Sequence, residues 1–162
     1  SAPASASFKL DYYEHPDIEA ILKRSARLLK IAINDDAIKI VARASRYTPR
    51  VANRLLRRLR DYAQVNKKEM VDAEVANKTL DMLEIDSLGL DPHDRRILET
   101  IIEKFNGGPV GVGTLAAAIN EDKGVIEDVY EPYLMSIGLL TRTSSGRRAT
   151  EMAYNHLKKK AK

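Results

Sequence analysis

One stretch, Arg43 to Arg60, constrains the fold more than any other part of this sequence. It holds seven arginines, no lysine and no acidic residue within eighteen residues. Thr48-Pro49 is typical of a helix start, because threonine caps free backbone amides and proline suits the first helical position. Apolar residues then recur at helical spacing, namely Val51, Leu55, Leu59 and Tyr62. The stretch therefore predicts an amphipathic helix from Pro49 to about Gln64, with arginines on its other faces.

Arg50 falls in the first turn of this predicted helix. The helix dipole disfavours a cation there by about a few tenths of a kcal/mol. An external anion such as a phosphate, shared by the guanidinium and the first amides, would account for its presence. The alternative is an arginine that points to solvent or to a nearby acid.

Composition limits the class of protein. A chain of 162 residues with 44% apolar residues is long enough for one ordinary domain or two small ones. The absence of cysteine excludes disulfides and thiolate metal sites, and three scattered histidines show no metal-binding spacing, so no metal site is predicted. No run of about 18 apolar residues and no signal peptide occurs, so we expect a cytoplasmic protein without membrane contact.

The first part of the chain predicts a helical domain over residues 8–86. Residues 1–7 are small and resemble a linker or a remnant of cloning. Four helices are expected, one opening at Pro16, one after Asn34, one at Pro49 and one capped by Asp72. Their predicted inward residues are Ile18, Ile21, Leu22, Leu28, Leu29, Ala37, Ile38, Val41, Ala44, Val75, Leu80 and Leu83, besides the stripe given above.

A second domain is expected over residues 87–162. It opens with most of a short linker at 86–90, after which Asp91-Pro92 signals a new helix. Next come a possible strand at 110–112, a helix at 114–119 and a longer helix interrupted at Pro132, with Val125, Ile126, Val129, Tyr133 and Ile137 as its apolar positions. Residues 138–149 form a hairpin signal around Thr143-Ser-Ser-Gly146, and a last helix starts at Thr150. This order is that of a winged helix with a small β-hairpin wing, so the whole chain is expected to be mainly α.

The glycines at 107–113 superficially resemble a phosphate-binding loop. No Gly-Lys-Ser or Gly-Lys-Thr follows them, and the spacing of a dinucleotide fingerprint is missing. They therefore predict a structural turn.

Charge is unevenly placed in the second domain, although the chain as a whole carries only +4. Five acids surround Lys123 in the third helix, at Glu121, Asp122, Glu127, Asp128 and Glu131. From Arg142 to Lys162, seven basic residues accompany one acid. Phosphates would repel the acidic helix, so contact with a nucleic-acid backbone through exposed arginines of the wing is favoured over base reading. The alternative for Lys158–Lys162 is a terminus that only aids solubility.

Three strings show which family the sequence is similar to: TPRVANRLLRRLRDYA at 48–63, TLAAA at 114–118 and IEDVYEPYL at 126–134. They closely resemble the RuvB family of motors, which drive branch migration of Holliday junctions, and the likeness extends over about residues 8–157. The resemblance implies an AAA+ helical lid followed by a winged helix. It also implies a preceding ATPase core, whose phosphate loop and Mg²⁺ motif do not occur in this sequence. No catalytic residue or metal ligand is therefore expected here, and the chain alone is not expected to hydrolyse ATP.

The resemblance assigns roles by position. It implies that Arg50 is the sensor arginine that reaches the phosphates of ATP, and that Tyr13 is an aromatic contact to the nucleotide. It implies that Lys123, Arg142 and Arg147 contact DNA. Tyr47 stands where the family usually has glycine, Ser144-Ser145 where it has Pro-Arg, and Lys123 where it has arginine. The second departure removes a cation from the wing, and the third loses a bidentate fork.

The implied partners are Holliday junction DNA with its duplex arms, the RuvA junction-recognition protein and, for the complete protein, five further copies of itself in a homohexamer. The implied processes are recombination and DNA repair. Two alternatives from the residues stay open. One is a free-standing winged-helix regulator that reads sequence, which the acidic third helix disfavours, and the other is a winged helix used only for protein contacts.

Overall fold

A computed structural model describes residues 15–46 and 48–159 of the chain. The backbone contacts divide it into two compact units, Ser1–Asp91 and Pro92–Lys162. Buried apolar residues occur in both units. We describe each unit separately.

Within the described residues, the first unit contains four helices, as predicted. They are α1 (His15–Leu28), α2 (Asp35–Ala44), α3 (Pro49–Val65) and α4 (Ala73–Met82). Two predicted helix starts are confirmed by their caps: Asn34 Oδ1 accepts a hydrogen bond from Ala37 N at 3.0 Å, and Asp72 Oδ1 accepts one from Val75 N at 2.9 Å. Each cap satisfies an amide that the helix itself leaves unpaired.

The start of α3 differs from the prediction in one respect. Pro49 occupies the first turn, as expected, but the Thr48 side chain makes no capping hydrogen bond. Its hydroxyl instead donates to Ser45 O at 3.0 Å, closing the turn between α2 and α3. The prediction that the Thr48 hydroxyl caps the amides of α3 is therefore wrong.

The core of the first unit lies between its four helices. It consists of Ile18, Leu22, Ala26, Ala37, Ile38, Val41, Ala42, Ala44, Ala52, Leu55, Leu56, Leu59, Ala63, Val71, Val75, Ala76 and Leu80. The prediction that Leu28 belongs to the core is wrong, because Leu28 is 74% exposed. Successive helical residues point about 100° apart, and Leu29 packs against the core, so Leu28 faces away.

The predicted linker is a tight turn that packs against the end of α2. Asp86 Oδ1 accepts hydrogen bonds from Leu88 N at 2.9 Å and Leu90 N at 3.0 Å. Gly89 has φ +79, and a Cβ there would lie 2.9 Å from Ala44 O. Only glycine combines this backbone angle with so close an approach.

The second unit contains the predicted helices and hairpin. Its elements are α5 (Pro92–Phe105), α6 (Val112–Ile119), α7 (Lys123–Val125), a π-helical segment (Ile126–Tyr130), α8 (Glu131–Ser136), β1 (Leu140–Thr143), β2 (Gly146–Ala149) and α9 (Glu151–Leu157). The predicted strand at 110–112 is only a single bridge between Val110 and Arg147, because Val112 already begins α6. The last helix follows Thr150, as predicted, and Thr150 Oγ1 caps it by accepting a hydrogen bond from Ala153 N at 3.3 Å.

Residues 123–136, from α7 to α8, form one continuous helical stretch that we call the third helix. Its middle widens into a π turn, in which Glu131 N donates to Ile126 O, five residues earlier. Pro132 follows directly, and proline cannot donate to residue 128 and would clash with its carbonyl. The wider turn accommodates the proline. It also changes the helical register, so Val129, predicted to face inward, is 52% exposed.

The hairpin of β1 and β2 is antiparallel, and Arg142 pairs with Arg147 across it. Residues Ser144-Ser145 form its tip. Gly146 has φ +133, and a Cβ there would clash with the carbonyl oxygen of Val110. Glycine at this position therefore lets the segment before α6 approach the hairpin closely.

Candidate functional site

Arg50 lies in the first turn of α3 and its side chain is exposed. The described residues place no acid in the first turn of α3 and provide Arg50 with no ion pair. The alternative of a nearby acidic partner is therefore not supported within the described part of the chain. The guanidinium is accessible to an external anion.

Three further arginines extend this basic surface along the exposed side of α3. Arg54, Arg57 and Arg58 are exposed and have no ion pair among the described residues. The four side chains span about 12 Å along the helix axis, given its rise per residue. Arg60 differs from them, because it lies 3.5 Å from Asp61. Like charges one turn apart repel, so the row is costly unless anions lie nearby.

Tyr13, the second residue expected to contact nucleotide, lies outside the described residues. Tyr47, which stands where the resemblance leads us to expect glycine, also lies outside them. Both assignments stay predictions.

The second candidate site is the hairpin, where Arg147 is fixed by Glu131. Arg147 Nε donates to Glu131 Oε2 at 2.5 Å, and Arg147 Nη2 donates to Glu131 Oε1 at 2.9 Å. The carboxylate of Glu131 is 1% exposed, and Arg147 is also buried. The hydrogen bonds and negative charge of Glu131 raise the pKa of Arg147 further, although burial opposes this rise. A two-point pair of this kind fixes orientation as well as distance.

This geometry corrects the expectation of exposed wing arginines at one position. Arg147 is 8% exposed, and its guanidinium is already bound by a carboxylate. Glu131, counted among the acids of the third helix, is likewise buried and neutralised rather than facing solvent. The physical reason is strand alternation, since one face of the hairpin packs against the third helix. The DNA contact assigned to Arg147 is not tested and stays a prediction.

Arg142, on the same face as Arg147, is held more loosely. Its Nη2 lies 3.7 Å from Glu131 Oε1 and 3.8 Å from Glu127 Oε2, and its side chain is 54% exposed. These distances exceed those of a short charge-assisted hydrogen bond. Arg142 can therefore exchange its acidic neighbours for a phosphate at little cost.

Lys123 begins α7, and its side chain is exposed without an ion pair among the described residues. Asp122 beside it caps the helix, accepting hydrogen bonds from Gly124 N at 2.7 Å and Val125 N at 3.2 Å. Asp128 is exposed further along. The exposed surface of the third helix is thus acidic except at its start.

One basic residue near the end of the chain has a partner. Lys159 Nζ lies 2.8 Å from Glu103 Oε1, and this hydrogen bond raises the pKa of Lys159. It ties the segment after α9 to α5. Lys160 and Lys162 lie outside the described residues.

The opposite face of the hairpin carries an arginine that the sequence reasoning counted but did not assign. Arg148 pairs with Thr141 across the hairpin, and both side chains are exposed. Strand alternation alone, applied to the predicted hairpin, separates Arg148 from Arg142 and Arg147.

Two absences concern the described residues only. They contain no group of three or more His, Cys, Asp or Glu side chains that could hold a metal ion. None of the described helices combines the length and the apolar character needed to cross a lipid bilayer.

Comparison with known families gives two matches. Residues 13–86 match the RuvB AAA lid domain, and residues 87–158 match the RuvB C-terminal winged helix domain. Together these two domain families cover nearly all of the described residues.

Individual relatives of this chain belong to the same family as the two domain models. The chain is 51% identical over 166 residues to the Holliday junction branch migration complex subunit RuvB of Solibacter usitatus, covering 100% of this chain and 48% of the relative. It is 56% identical to the subunit of the same name from Rubrobacter xylanophilus, over 93% of this chain and 42% of the relative. This chain thus spans less than half the length of either relative.

A solved structure is similar as well. The Thermotoga maritima RuvB Holliday junction branch migration motor matches with a TM-score of 0.91 and 44% sequence identity. The match covers 94% of this chain and 51% of that chain.

Proposed function

Because this chain belongs to the RuvB family, we propose that it is the C-terminal part of an ATP-driven motor for Holliday junction branch migration. The observation that carries the proposal is the succession of two RuvB domains, lid and winged helix, over residues 13–158. The first unit would sense the nucleotide and the second would hold DNA. Recombination and DNA repair are the processes that such a motor serves.

The nucleotide is ATP, and Arg50 is the residue of the first unit proposed to reach its phosphates. Support comes from the exposed guanidinium, which lacks an acidic partner among the described residues. Tyr13 would add an aromatic contact. The sequence contains no phosphate loop of the Gly-Lys-Ser/Thr type, so the phosphate cradle and the Mg²⁺ ligands would belong to an ATPase core outside this chain.

The second unit would contact the DNA backbone through its wing without reading bases. The acidic exposed surface of the third helix disfavours insertion into the major groove, where flanking phosphates would repel it. Arg142 and Lys123 would contact phosphates, as the resemblance implies, and both are accessible. Arg147 is buried and bound at two points by Glu131, so a phosphate would have to compete with that carboxylate for it.

The partners proposed for the complete protein are Holliday junction DNA, RuvA and further copies of itself in a hexamer, in the cytoplasm. These follow from family membership. The relatives are named as subunits of a Holliday junction branch migration complex.

Two measurements on the purified chain test this proposal. It should retain duplex DNA at low salt and release it as salt rises, equally for unrelated sequences, because phosphate contacts release counterions. It should hydrolyse no ATP. Sequence-selective binding would favour a free-standing regulator, and absence of salt-dependent retention would favour a module for protein contacts. Measurable ATP turnover would contradict the proposal that the catalytic core lies outside this chain.

A further inference from the structure

The two faces of the hairpin have different electrostatic surroundings. Residues directly opposite each other across an antiparallel pair lie on the same face, and the next pair lies on the other face. Arg142 and Arg147 therefore share the face that packs against the third helix, which we call the inner face. Thr141 and Arg148 share the other, which we call the outer face.

The positive charges of the inner face are opposed by carboxylates. Arg147 is bound at two points by Glu131, and Arg142 lies within 4 Å of both Glu131 and Glu127. Two guanidinium groups thus face two carboxylates. A phosphate approaching the inner face would compete with these acids, weakly at Arg142 and strongly at Arg147.

The outer face has no such opposition. Arg148 is exposed, and the described residues offer it no ion pair. Its neighbour across the hairpin, Thr141, turns its hydroxyl towards Arg148 O at 3.4 Å and carries no charge. The full charge of the Arg148 guanidinium is therefore directed to solvent.

The backbone at Arg148 is held from both sides. On one side β1 pairs with β2, and on the other Val110 exchanges backbone hydrogen bonds with Arg147, at 2.9 and 2.7 Å. Ala149 N also donates to Gly107 O at 3.0 Å. A side chain on a strand fixed in this way loses little backbone freedom on binding a ligand.

We propose that Arg148 is a further phosphate-binding residue of the wing, so that the DNA backbone also contacts the outer face of the hairpin, in addition to the contact proposed for Arg142. This assignment rests on the proposed function, in which the second unit holds DNA. It adds a position to those that the family resemblance implies, and this position, unlike Arg142 and Arg147, does not face the acids of the third helix. The ligand is the phosphodiester backbone, read without regard to sequence.

The test compares two charge-matched variants of the whole chain. Arg148→Gln removes the proposed contact and keeps most of the side-chain volume. Arg96→Gln is the control, because Arg96 is an exposed arginine of α5, also without an ion pair among the described residues. Binding of short fluorescein-labelled duplexes of two unrelated sequences is measured by anisotropy between about 50 and 200 mM salt. Thermal unfolding of each variant is recorded alongside.

Arg148→Gln should weaken binding roughly three- to tenfold for both duplexes and reduce the slope of log K against log salt by about 0.9. Arg96→Gln should leave both quantities near the wild-type values, and neither variant should shift the unfolding midpoint. If Arg148→Gln binds both duplexes with the affinity and the salt slope of the wild type, the assignment of Arg148 is wrong, while the proposed function stands. Absence of salt-dependent binding by the wild-type chain would overturn the proposed function, and this assignment with it.

Discussion

Glu131 accepts hydrogen bonds from Arg147 through both carboxylate oxygens, and the pair joins the third helix to the second strand of the wing. Glu131 follows a π turn and precedes a proline, so it belongs to the least regular part of that helix. The pair therefore fixes the hairpin against the point where the helical register changes.

We predict that Glu131→Gln destabilises the second unit, because it leaves the guanidinium of Arg147 buried without its counter-charge. Breaking a buried pair on one side typically costs about 3–5 kcal/mol. Chemical denaturation followed by circular dichroism measures the change in the free energy of unfolding. Replacing both partners, as Glu131→Leu with Arg147→Met, should recover much of the loss.

An exposed pair provides the comparison for Glu131→Gln. Glu103→Gln removes the partner of Lys159 on the surface and should change the free energy of unfolding far less than Glu131→Gln, because solvent screens an exposed pair. If Glu131→Gln proves as mild as Glu103→Gln, the buried pair does not fix the wing.

A second prediction concerns the turn that follows α4. Gly89→Ala should destabilise the first unit by roughly 1–3 kcal/mol, because its φ of +79 and the nearby carbonyl of Ala44 both exclude a side chain. Gly113→Ala is the matched control, since a Cβ at Gly113 meets nothing within 4 Å and Gly113 lies in α6. The control should be neutral or stabilising by up to about 1 kcal/mol. Equal effects of the two changes on the melting temperature would contradict this reading of the turn.

The sequence predicted the elements well where the signal is local. Asn34, Asp72 and Thr150 start helices because their side chains reach an amide three residues ahead, which depends on nothing distant. The hairpin around Ser144-Ser145 is also a local signal. The winged-helix order followed from these elements.

The sequence failed where distant residues decide. Threonine is a common helix cap, yet the Thr48 hydroxyl donates to Ser45 O instead. The path of the preceding turn determines which of these two hydrogen bonds forms. The burial of Arg147 depends on Glu131, sixteen residues earlier, which charge counting placed on the surface. Net charge along a segment does not reveal which cations are already neutralised, and so it did not single out Arg148.

The third prediction concerns Arg50 in the complete motor. Arg50→Ala should raise the activation barrier of ATP hydrolysis by roughly 3 kcal/mol and so slow the reaction, because an arginine at the transferring phosphate stabilises the developing charge. DNA affinity should change much less. Arg57→Ala is the control, since Arg57 is exposed on the same helix but about 10 Å further along its axis. Steady-state ATP hydrolysis and DNA binding by anisotropy are measured for both variants. An equal loss of hydrolysis and of DNA binding in Arg50→Ala would count against a nucleotide-sensing role for Arg50.

The last prediction tests the acidic surface of the third helix. Glu127→Gln with Asp128→Asn removes two negative charges, one of which lies 3.8 Å from Arg142 and the other of which is exposed. If the wing meets DNA while this helix stays out of the groove, affinity should be unchanged or increase by up to about fivefold, because repulsion falls and Arg142 is released. Stability should change by no more than about 0.5 kcal/mol, since neither residue belongs to the core.

Anisotropy with the duplexes used for Arg148→Gln measures this affinity across the same range of salt. Glu74→Gln in the first unit is the control for a general loss of negative charge, because Glu74 forms an exposed ion pair with Lys78 within α4. A comparable gain in both variants would indicate a nonspecific effect of net charge. Loss of binding in the doubly substituted chain would mean that Glu127 and Asp128 take part in recognition, and contact through the wing alone would then be wrong.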